Sequence, residues 1–281
     1  MKHLYLNLKR FDVPVEYGGV NRIAPLKDWG SYIVAHTQEG LKHYDPSQVE
    51  FVQYFPEAHI LGAVGARCEG SPVQVGCQGV YRMNTAVGGN FGAFTTNRPA
   101  SAARAMGCTS TIIGHCEERM NLRAIMDEAG AAPDAVEAAV NRVLAREVAA
   151  AQAAGLTVLF CMGEREEEVD SWEEVLTAQL TGGLEGADLS RVRVAYEPVW
   201  SIGPGKTPAD APYIQKVARL IKATLPGVDV VYGGGLKADN AQMLAGIPEI
   251  DGGLIALTRF TGEIGFYPEE YAEIVKLYLE A

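Results

Sequence analysis

The chain alternates short apolar runs with longer segments of helical periodicity. Eight apolar runs have the length and composition of buried β-strands. They lie at 4–8, 49–55, 73–77, 110–115, 157–162, 192–197, 228–232 and 253–257. The clearest helical patterns are at 133–154, where Val136 and Val140 share one apolar face, and at 209–225. Eight strands alternating with helices predict the α/β class and a single closed (β/α)8 barrel over residues 1–281.

An open, doubly wound sheet is the alternative architecture for such an alternation. No G-x-G-x-x-G motif follows the first apolar run, so the dinucleotide-binding form of the open sheet lacks its signature. No Ser-, Pro- or Gly-rich linker divides the chain. We therefore favour the barrel, built as one domain.

Composition restricts the classes of partner. The 281 residues are 48% hydrophobic and carry a net charge of −11, which argues against nucleic acid as a partner but not against a small phosphorylated ligand. No apolar run is long enough to span a membrane, and the N-terminus lacks the apolar region of a signal peptide. These features predict a cytoplasmic protein with no membrane partner.

The cysteines and histidines form no metal motif along the chain. The five cysteines include no C-x-x-C pair, and the five histidines are scattered without an H-E-x-x-H sequence. An odd number of cysteines without paired spacing indicates reduced thiols. We predict neither a metal nor a cofactor.

The sixth apolar run places an acidic residue at its end. Glu197 follows 192–196, and the next segment, 198–207, combines apolar bulk with Gly203 and Gly205. This composition is typical of a mobile lid. Closing a lid over Glu197 would exclude water and strengthen its carboxylate as a base for proton abstraction from carbon. The structural alternative is an exposed loop carboxylate.

Catalytic groups of a closed barrel gather where the strands end at the carboxyl face. That rule selects Asn7 and Lys9 after the first run, His115 and Glu117 after the fourth, and Gly234 and Gly235 after the seventh. Together with Glu197 they would supply a base, an electrophile and a positive charge. If the glycines open a helix, its first amides would bind a phosphate. Singly, a His or a glycine turn is more often structural.

Two features close to these candidate residues are interpreted as structural, without a role in the chemistry. Cys116 follows His115, but adjacent strand residues point to opposite faces, which argues against a thiol nucleophile. The acidic run 164–170 is interpreted as the solvated entrance to a helix.

Four segments, in this order, resemble motifs of the triosephosphate isomerase family. They are N-L-K at 7–9, I-I-G-H-C-E-E-R at 112–119, Y-E-P-V-W-S-I-G-P-G-K-T at 196–207 and V-V-Y-G-G-G at 230–235. F-C-M-G-E at 160–164 and G-A-F-T at 92–95 also match, so the resemblance spans nearly the whole chain. It implies a (β/α)8 isomerase that acts on a small phosphorylated sugar.

The resemblance also implies roles for individual residues. Glu197 would be the base and His115 the electrophile that polarises the substrate carbonyl, which is the known chemistry of this family. Lys9 would supply positive charge beside the substrate. The remaining roles are orientation by Asn7, support by Glu117 and Cys161, and phosphate binding by backbone amides of Gly203, Gly234 and Gly235. The G-A-F-T match implies a homodimer through the loop around Thr95, and we expect Phe94 at its tip to be exposed for a partner.

The chain departs from the family pattern at several positions. Cys116 stands for the usual Ser, Glu118 for Arg, Pro204 for Thr, Gly235 for Ser, and Ala256 and Leu257 for a glycine pair whose amides approach the phosphate. Loops 10–25, 78–90 and 258–267 also look longer. Arg259 is a candidate replacement ligand for the phosphate, because a guanidinium binds phosphate with two hydrogen bonds. The alternative is a surface Arg in a lengthened loop.

The first expectation for function is triosephosphate isomerisation through an enediolate. The altered eighth strand and the longer loops leave open a related isomerase of a four-carbon ketose phosphate. A third possibility is a barrel that binds a sugar phosphate without catalysis. The joint presence of Glu197, His115 and Lys9 argues against that sensor, because a sensor needs no base at carbon.

Overall fold

The computed structural model describes residues 1–202 and 206–281. Its eight strands are parallel and close into a barrel, with β8 paired to β1. The strands are β1 (Lys2–Asn7), β2 (Val49–Phe55), β3 (Val73–Cys77), β4 (Ser110–Ile113), β5 (Thr157–Met162), β6 (Val192–Tyr196), β7 (Asp229–Tyr232) and β8 (Gly252–Ile255). The predicted (β/α)8 barrel is confirmed.

Helices cover the outside of the barrel. They are α1 (Trp29–Leu41), α2 (Glu57–Gly65), α3 (Ala100–Ala105), α4 (Cys116–Glu128), α5 (Pro133–Ala153), α6 (Trp172–Gly183), α7 (Ala211–Thr224), α8 (Ala241–Ala245) and α9 (Pro268–Leu279). Within the described residues, no helix is long and apolar enough to cross a membrane.

The alternation of side chains along each strand produces two apolar layers. One layer fills the barrel interior and includes Tyr5, Tyr54, Leu159 and Cys161. The other lies between the strands and the helices and includes Phe160, which stands between Leu159 and Cys161 in the chain. Consecutive residues of a strand point in opposite directions, so each strand contributes side chains to both layers.

Four strands end earlier than the sequence pattern predicts, and each difference affects the carboxyl face. β1 ends at Asn7, one residue before the predicted end. β4 ends at Ile113 because Gly114 takes a left-handed φ of 81°, which breaks the extended backbone before His115. β6 ends at Tyr196, so Glu197 begins the following loop. β8 ends at Ile255 and leaves 256–257 in a loop.

Candidate active site

Glu197 lies at the carboxyl end of β6, and its side chain is only 2% exposed. Its amide donates to the Met162 carbonyl at the end of β5 (2.8 Å), which extends the sheet register by one residue. The carboxylate accepts from the backbone N–H of Cys116 through Oε2 (2.9 Å). Burial raises the pKa of Glu197, although His115 and the Cys116 amide act in the opposite direction.

Two glycines make room for this acidic residue. A Cβ at Gly163 would lie 1.7 Å from the Glu197 carbonyl oxygen, and a Cβ at Gly233 would lie 2.7 Å from Glu197 Cγ. Any side chain at Gly163 would therefore collide with the backbone, and one at Gly233 would displace the carboxylate. The ends of β5 and β7 thus fix Glu197 in place from both sides.

His115 caps the N-terminus of α4. Its Nδ1 accepts a hydrogen bond from the Glu117 amide (3.3 Å), which leaves Nε2 as the nitrogen that carries the proton. Nε2 lies 3.2 Å from Glu197 Oε1. The β4–α4 junction and the end of β6 therefore place an N–H donor directly against a buried carboxylate.

Lys9 adds a positive charge to the same face. Its Nζ donates to Glu117 Oε1 (2.8 Å). Burial opposes the charge of Lys9, but the hydrogen bond and the charge of Glu117 outweigh it and raise the pKa of the lysine. Lys9 has a left-handed φ of 39°, a costly conformation for a residue with a Cβ and one that clusters at functional sites.

Asn7 and Gln78 hold this strained turn. The Lys9 amide donates to Asn7 Oδ1 (3.0 Å). Gln78 Nε2 donates to the Lys9 carbonyl (2.9 Å) and also lies 3.3 Å from Asn7 Oδ1. Sequence reasoning did not select Gln78, although its position directly after β3 was a usable signal under the rule of strand ends.

A cavity of about 410 Å³ opens beside these groups. Its lining includes His115, Lys9, Asn7 and Glu117, together with Phe11 and Val20 from the long loop after β1. This volume is ample for a sugar phosphate of three or four carbons. The cavity is therefore lined by polar groups at the strand ends and by apolar side chains of the long loop after β1.

The interpretation of 164–170 as a solvated helix entrance is wrong at two residues. Glu164 is fully buried, and Oε1 accepts from Trp200 Nε1 (2.7 Å), Tyr196 Oη (2.9 Å) and Tyr213 Oη (3.0 Å). Glu168 is also buried, with its carboxylate bonded to Arg165. A buried carboxylate needs such donors, and a charge count along the chain does not reveal them.

The bonds of Glu164 position the segment that follows Glu197. A short 3-10 helix at Val199–Ser201 carries Trp200, and the Val199 amide donates to the Glu164 carbonyl (3.2 Å). Lys206 pairs with Glu166 (2.7 Å) from the other side. Gly203 and the rest of 203–205 lie outside the described residues, so the predicted lid and the Gly203 phosphate contact stay predictions.

The reason given for setting aside Cys116 is also wrong. Cys116 is the first residue of α4, so strand alternation does not separate it from His115. Its Sγ lies 3.7 Å from His115 Nδ1. Burial, with the charge of Glu197, raises the thiol pKa to about 12, which still disfavours a nucleophilic thiolate. Cys161 faces the barrel interior, and its carbonyl accepts from Arg119 Nη2 (3.1 Å).

The loop after β7 differs from the helix opening that the sequence suggested. α8 begins only at Ala241, so Gly234 and Gly235 lie in a loop and not at a helix N-terminus. Gly234 has no room for a side chain, since a Cβ would lie 2.3 Å from Tyr232 Oη. Within residues 1–202 and 206–281, the amides of Gly234 and Gly235 have no acceptor and can bind an anion.

Arg259 has partners of its own in the loop after β8. Its Nε donates to Glu270 Oε1 (2.7 Å), and the guanidinium lies 3.8 Å from the centre of the Tyr267 ring. Thr258 Oγ1 donates to the same Glu270 carboxylate (2.8 Å). These contacts favour the alternative of a loop residue, and binding of a phosphate by Arg259 would require it to leave Glu270.

The expectation that Phe94 is exposed is wrong. Phe94 is half-buried, with its ring edge-on to Tyr81 at 5.8 Å between centroids. Other apolar residues of the loop between β3 and α3 project instead: Phe91 is 91% exposed, and Met83 and Val87 are exposed as well. The loop thus has an exposed apolar tip, but at residues before Thr95.

Comparison with known proteins agrees with this geometry. A family model described as triosephosphate isomerase matches residues 31–264. The triosephosphate isomerase of Chlorobium luteolum is 35% identical over 235 residues, which cover 79% of this chain and 82% of that protein. The one from Pseudomonas fluorescens is 38% identical over 237 residues, covering 79% and 85%.

A crystal structure of triosephosphate isomerase from Bartonella henselae has the same fold. It aligns with a TM-score of 0.71 over 99% of both chains, at 22% identity. The resemblance inferred from the sequence motifs is confirmed. With its parallel barrel, the Glu197–His115 pair at the carboxyl face and these relatives, the chain belongs to the triosephosphate isomerase family of isomerases.

Proposed function

We propose that this protein interconverts D-glyceraldehyde 3-phosphate and dihydroxyacetone phosphate by proton transfer between adjacent carbons. The observation that carries the proposal is the contact between the buried Glu197 carboxylate and His115 Nε2 (3.2 Å), beside a cavity that Lys9 also lines. A carboxylate with a raised pKa is a stronger base than an ordinary one. Its burial suits abstraction of a proton from carbon.

Each group has one task in the proposed reaction. Glu197 takes the proton from the carbon next to the carbonyl, and the C–H electron pair forms the double bond of an enediolate. The N–H of His115 Nε2 donates to the carbonyl oxygen as negative charge develops there, and Lys9 stabilises that charge. Glu197 then returns the proton to the neighbouring carbon, while the proton of the substrate hydroxyl passes through His115 Nε2 to the former carbonyl oxygen, so the reaction is redox-neutral within the substrate.

The phosphate belongs on the opposite side of the face, at the loop after β7. The amides of Gly234 and Gly235 are the proposed donors there, with Gly203 as a further one by family resemblance. This arrangement requires no metal and no cofactor for proton transfer. Five free thiols are consistent with a reducing, cytoplasmic location, which we also propose.

We further propose a homodimer through the loop around Thr95. The exposed apolar tip formed by Met83, Val87 and Phe91 supports it, because a projecting loop of this kind is most simply covered by a second copy.

A four-carbon ketose phosphate is the second candidate substrate. The specific observation is the loop after β8, where Ala256 and Leu257 carry side chains at the family's glycine positions and both are partly exposed. Two added side chains would move the phosphate outward, which suits a longer carbon chain. In this candidate Arg259 would exchange Glu270 for the phosphate.

Steady-state kinetics with both triose phosphates tests the proposal. We expect turnover in both directions, and we expect Glu197→Gln to lower kcat by roughly 10²–10⁴-fold, the usual contribution of a general base. Circular dichroism should show an unchanged fold. Near-native turnover of the folded variant would remove Glu197 from the mechanism, and turnover of tetrulose phosphate alone would replace the first candidate with the second.

A further inference from the structure

Three metal-binding side chains converge at the junction of β4, α4 and β6. They are His115, Cys116 and Glu197, whose nearest ligand atoms all lie within 4.8 Å of one another. The sequence showed no metal motif, because 81 residues separate Cys116 from Glu197. The barrel brings them together at the carboxyl face. They offer one nitrogen, one sulfur and one oxygen, a donor set that suits Zn²⁺.

The distances are close to those of a metal site. His115 Nε2 lies 3.2 Å from Glu197 Oε1, and with Cys116 Sγ added, one ligand atom from each of the three residues lies within 4.8 Å of the others. In a tetrahedral zinc site with bonds of about 2.0–2.3 Å, neighbouring ligand atoms are about 3.2–3.8 Å apart. Rotation of the Cys116 side chain about its Cα–Cβ bond is the main adjustment that the site needs.

We propose that a Zn²⁺ ion binds His115, Cys116 and Glu197 and reversibly inhibits the protein. Coordination forms one bond from the ion to each ligand. The Cys116 thiol loses its proton to solvent, and the His115 proton moves from Nε2, which binds the ion, to Nδ1, which then no longer accepts from the Glu117 amide. His115 lines the cavity, so the ion would reach this site from the same space that the substrate would enter. No electron is transferred.

The affinity of the site for Zn²⁺ depends mainly on the thiol of Cys116. The family's usual residue at this position is Ser, and a hydroxyl is a much weaker zinc ligand than a thiolate. Lys9 disfavours a cation, since its ammonium acts electrostatically on both Cys116 and Glu197. The thiolate and the Glu197 carboxylate supply two negative charges, and Glu117 already compensates Lys9 through their 2.8 Å ion pair.

The inhibitory consequence rests on the proposed function, but binding of the ion does not. An ion on Glu197 and His115 would occupy both the base and the carbonyl-polarising group. Inhibition should therefore be competitive with substrate and fully reversed by a chelator.

Titration with Co²⁺, a coloured substitute for Zn²⁺, tests the site without relying on activity. We expect visible bands of a tetrahedral ion and a thiolate-to-cobalt charge-transfer band, both displaced by Zn²⁺. Cys116→Ser should remove the charge-transfer band and weaken Zn²⁺ binding by roughly tenfold or more. The control is Cys68→Ser, an exposed thiol with a carboxylate 3.6 Å away, which should leave the band unchanged.

The outcomes separate the two proposals. A charge-transfer band that persists in folded Cys116→Ser, or that is absent from wild type, overturns the zinc site. A wild-type band together with zinc inhibition that Cys116→Ser relieves supports it. If wild type shows the band but isomerises none of the sugar phosphates, the site stands and the proposed function fails.

Discussion

The Glu197 carboxylate receives its hydrogen bonds from the β4–α4 junction. The Cys116 amide donates to Oε2, and His115 Nε2 faces Oε1. Both contacts favour the ionised form, whereas burial favours the neutral acid. The effect of burial is the larger one, so the pKa of Glu197 is raised. The carboxylate is thus held in a defined position without losing the basicity that proton abstraction needs.

Two carboxyl groups lie close together behind His115: Glu147 is buried and Glu118 is half-buried. Glu118 Oε2 accepts from the Gly114 amide (2.6 Å), and Glu118 also contacts Glu147 of α5. Burial, followed by the charge of Glu118, raises the pKa of Glu147 to about 10. Glu147 is therefore protonated at neutral pH and donates to Glu118, which in turn holds the glycine before His115.

Glu147→Gln should stabilise the protein at alkaline pH. A carboxyl whose pKa is raised by folding favours the folded state fully below its unfolded pKa, near 4.3, and progressively less as pH rises toward 10. The amide needs no proton to stay neutral. We expect a gain of about 1–3 kcal/mol in unfolding free energy at pH 9 and a smaller gain at pH 5.

Urea denaturation across this pH range measures the effect. The exposed Glu185 serves as the control, and Glu185→Gln should show no such trend. A Glu147→Gln variant that is less stable than wild type at pH 9, or a difference independent of pH, would contradict the protonated pair.

At the scale of elements, Glu164 connects β5 to the segment after β6. One carboxylate oxygen accepts from Trp200, Tyr196 and Tyr213, which belong to the 3-10 helix, β6 and α7. Such a shared acceptor sets the angle at which the chain leaves Glu197. The segment that follows the base is therefore positioned by a fully buried residue.

Glu164→Gln should lower kcat/KM by roughly tenfold, since an amide carbonyl is a weaker acceptor than a carboxylate and its NH2 group faces three donors. Unfolding free energy should fall by about 1–3 kcal/mol. Steady-state kinetics and urea denaturation measure the two effects. Glu167→Gln changes an exposed acid of the same run and should match wild type; equal behaviour of the two variants would exclude the anchoring role.

The loop after β8 distinguishes the two candidate substrates. Because Glu270 already takes the charge of Arg259, the triose candidate predicts that Arg259→Ala leaves KM unchanged. The four-carbon candidate predicts a higher KM for tetrulose phosphate, at a cost of about 1.5–3 kcal/mol for a hydrogen bond to a charged group. Glu270→Gln is the matched control, because it frees Arg259 without removing it. The ratio of kcat/KM for the two ketose phosphates in these variants decides between the candidates.

Across the whole molecule, sequence patterns predicted the features that are determined by residues close together in the chain. Apolar runs located all eight strands, and the rule of strand ends placed Lys9, His115 and Glu197 together at the carboxyl face, where the structure has them. The errors fall where partners come from distant segments. The donors to Glu164 lie 32 or more residues away in the chain, and Phe94 packs on Tyr81 across a loop. Neither hydropathy nor charge counts contain that information.

The exposed tip of the loop after β3 predicts the assembly state. Phe91→Asp would place a charge in the proposed interface, which an apolar contact cannot accommodate without desolvating it. Sedimentation should give twice the 30.2 kDa chain mass for wild type and the monomer mass for the variant. Leu61→Asp, an exposed apolar residue on α2, should remain a dimer. A monomeric wild type at micromolar concentration would contradict the homodimer.

In the proposed mechanism, Glu197 moves a proton between adjacent carbons of a sugar phosphate. Proton NMR in deuterated water, on three- to five-carbon ketose and aldose phosphates, detects this proton transfer. We predict that wild type exchanges carbon-bound hydrogen of the triose phosphates for deuterium, and that Glu197→Gln slows the exchange by roughly 10²–10⁴-fold. Exchange at the wild-type rate in folded Glu197→Gln, or no exchange by wild type with any of these substrates after prolonged incubation, would contradict this role of Glu197.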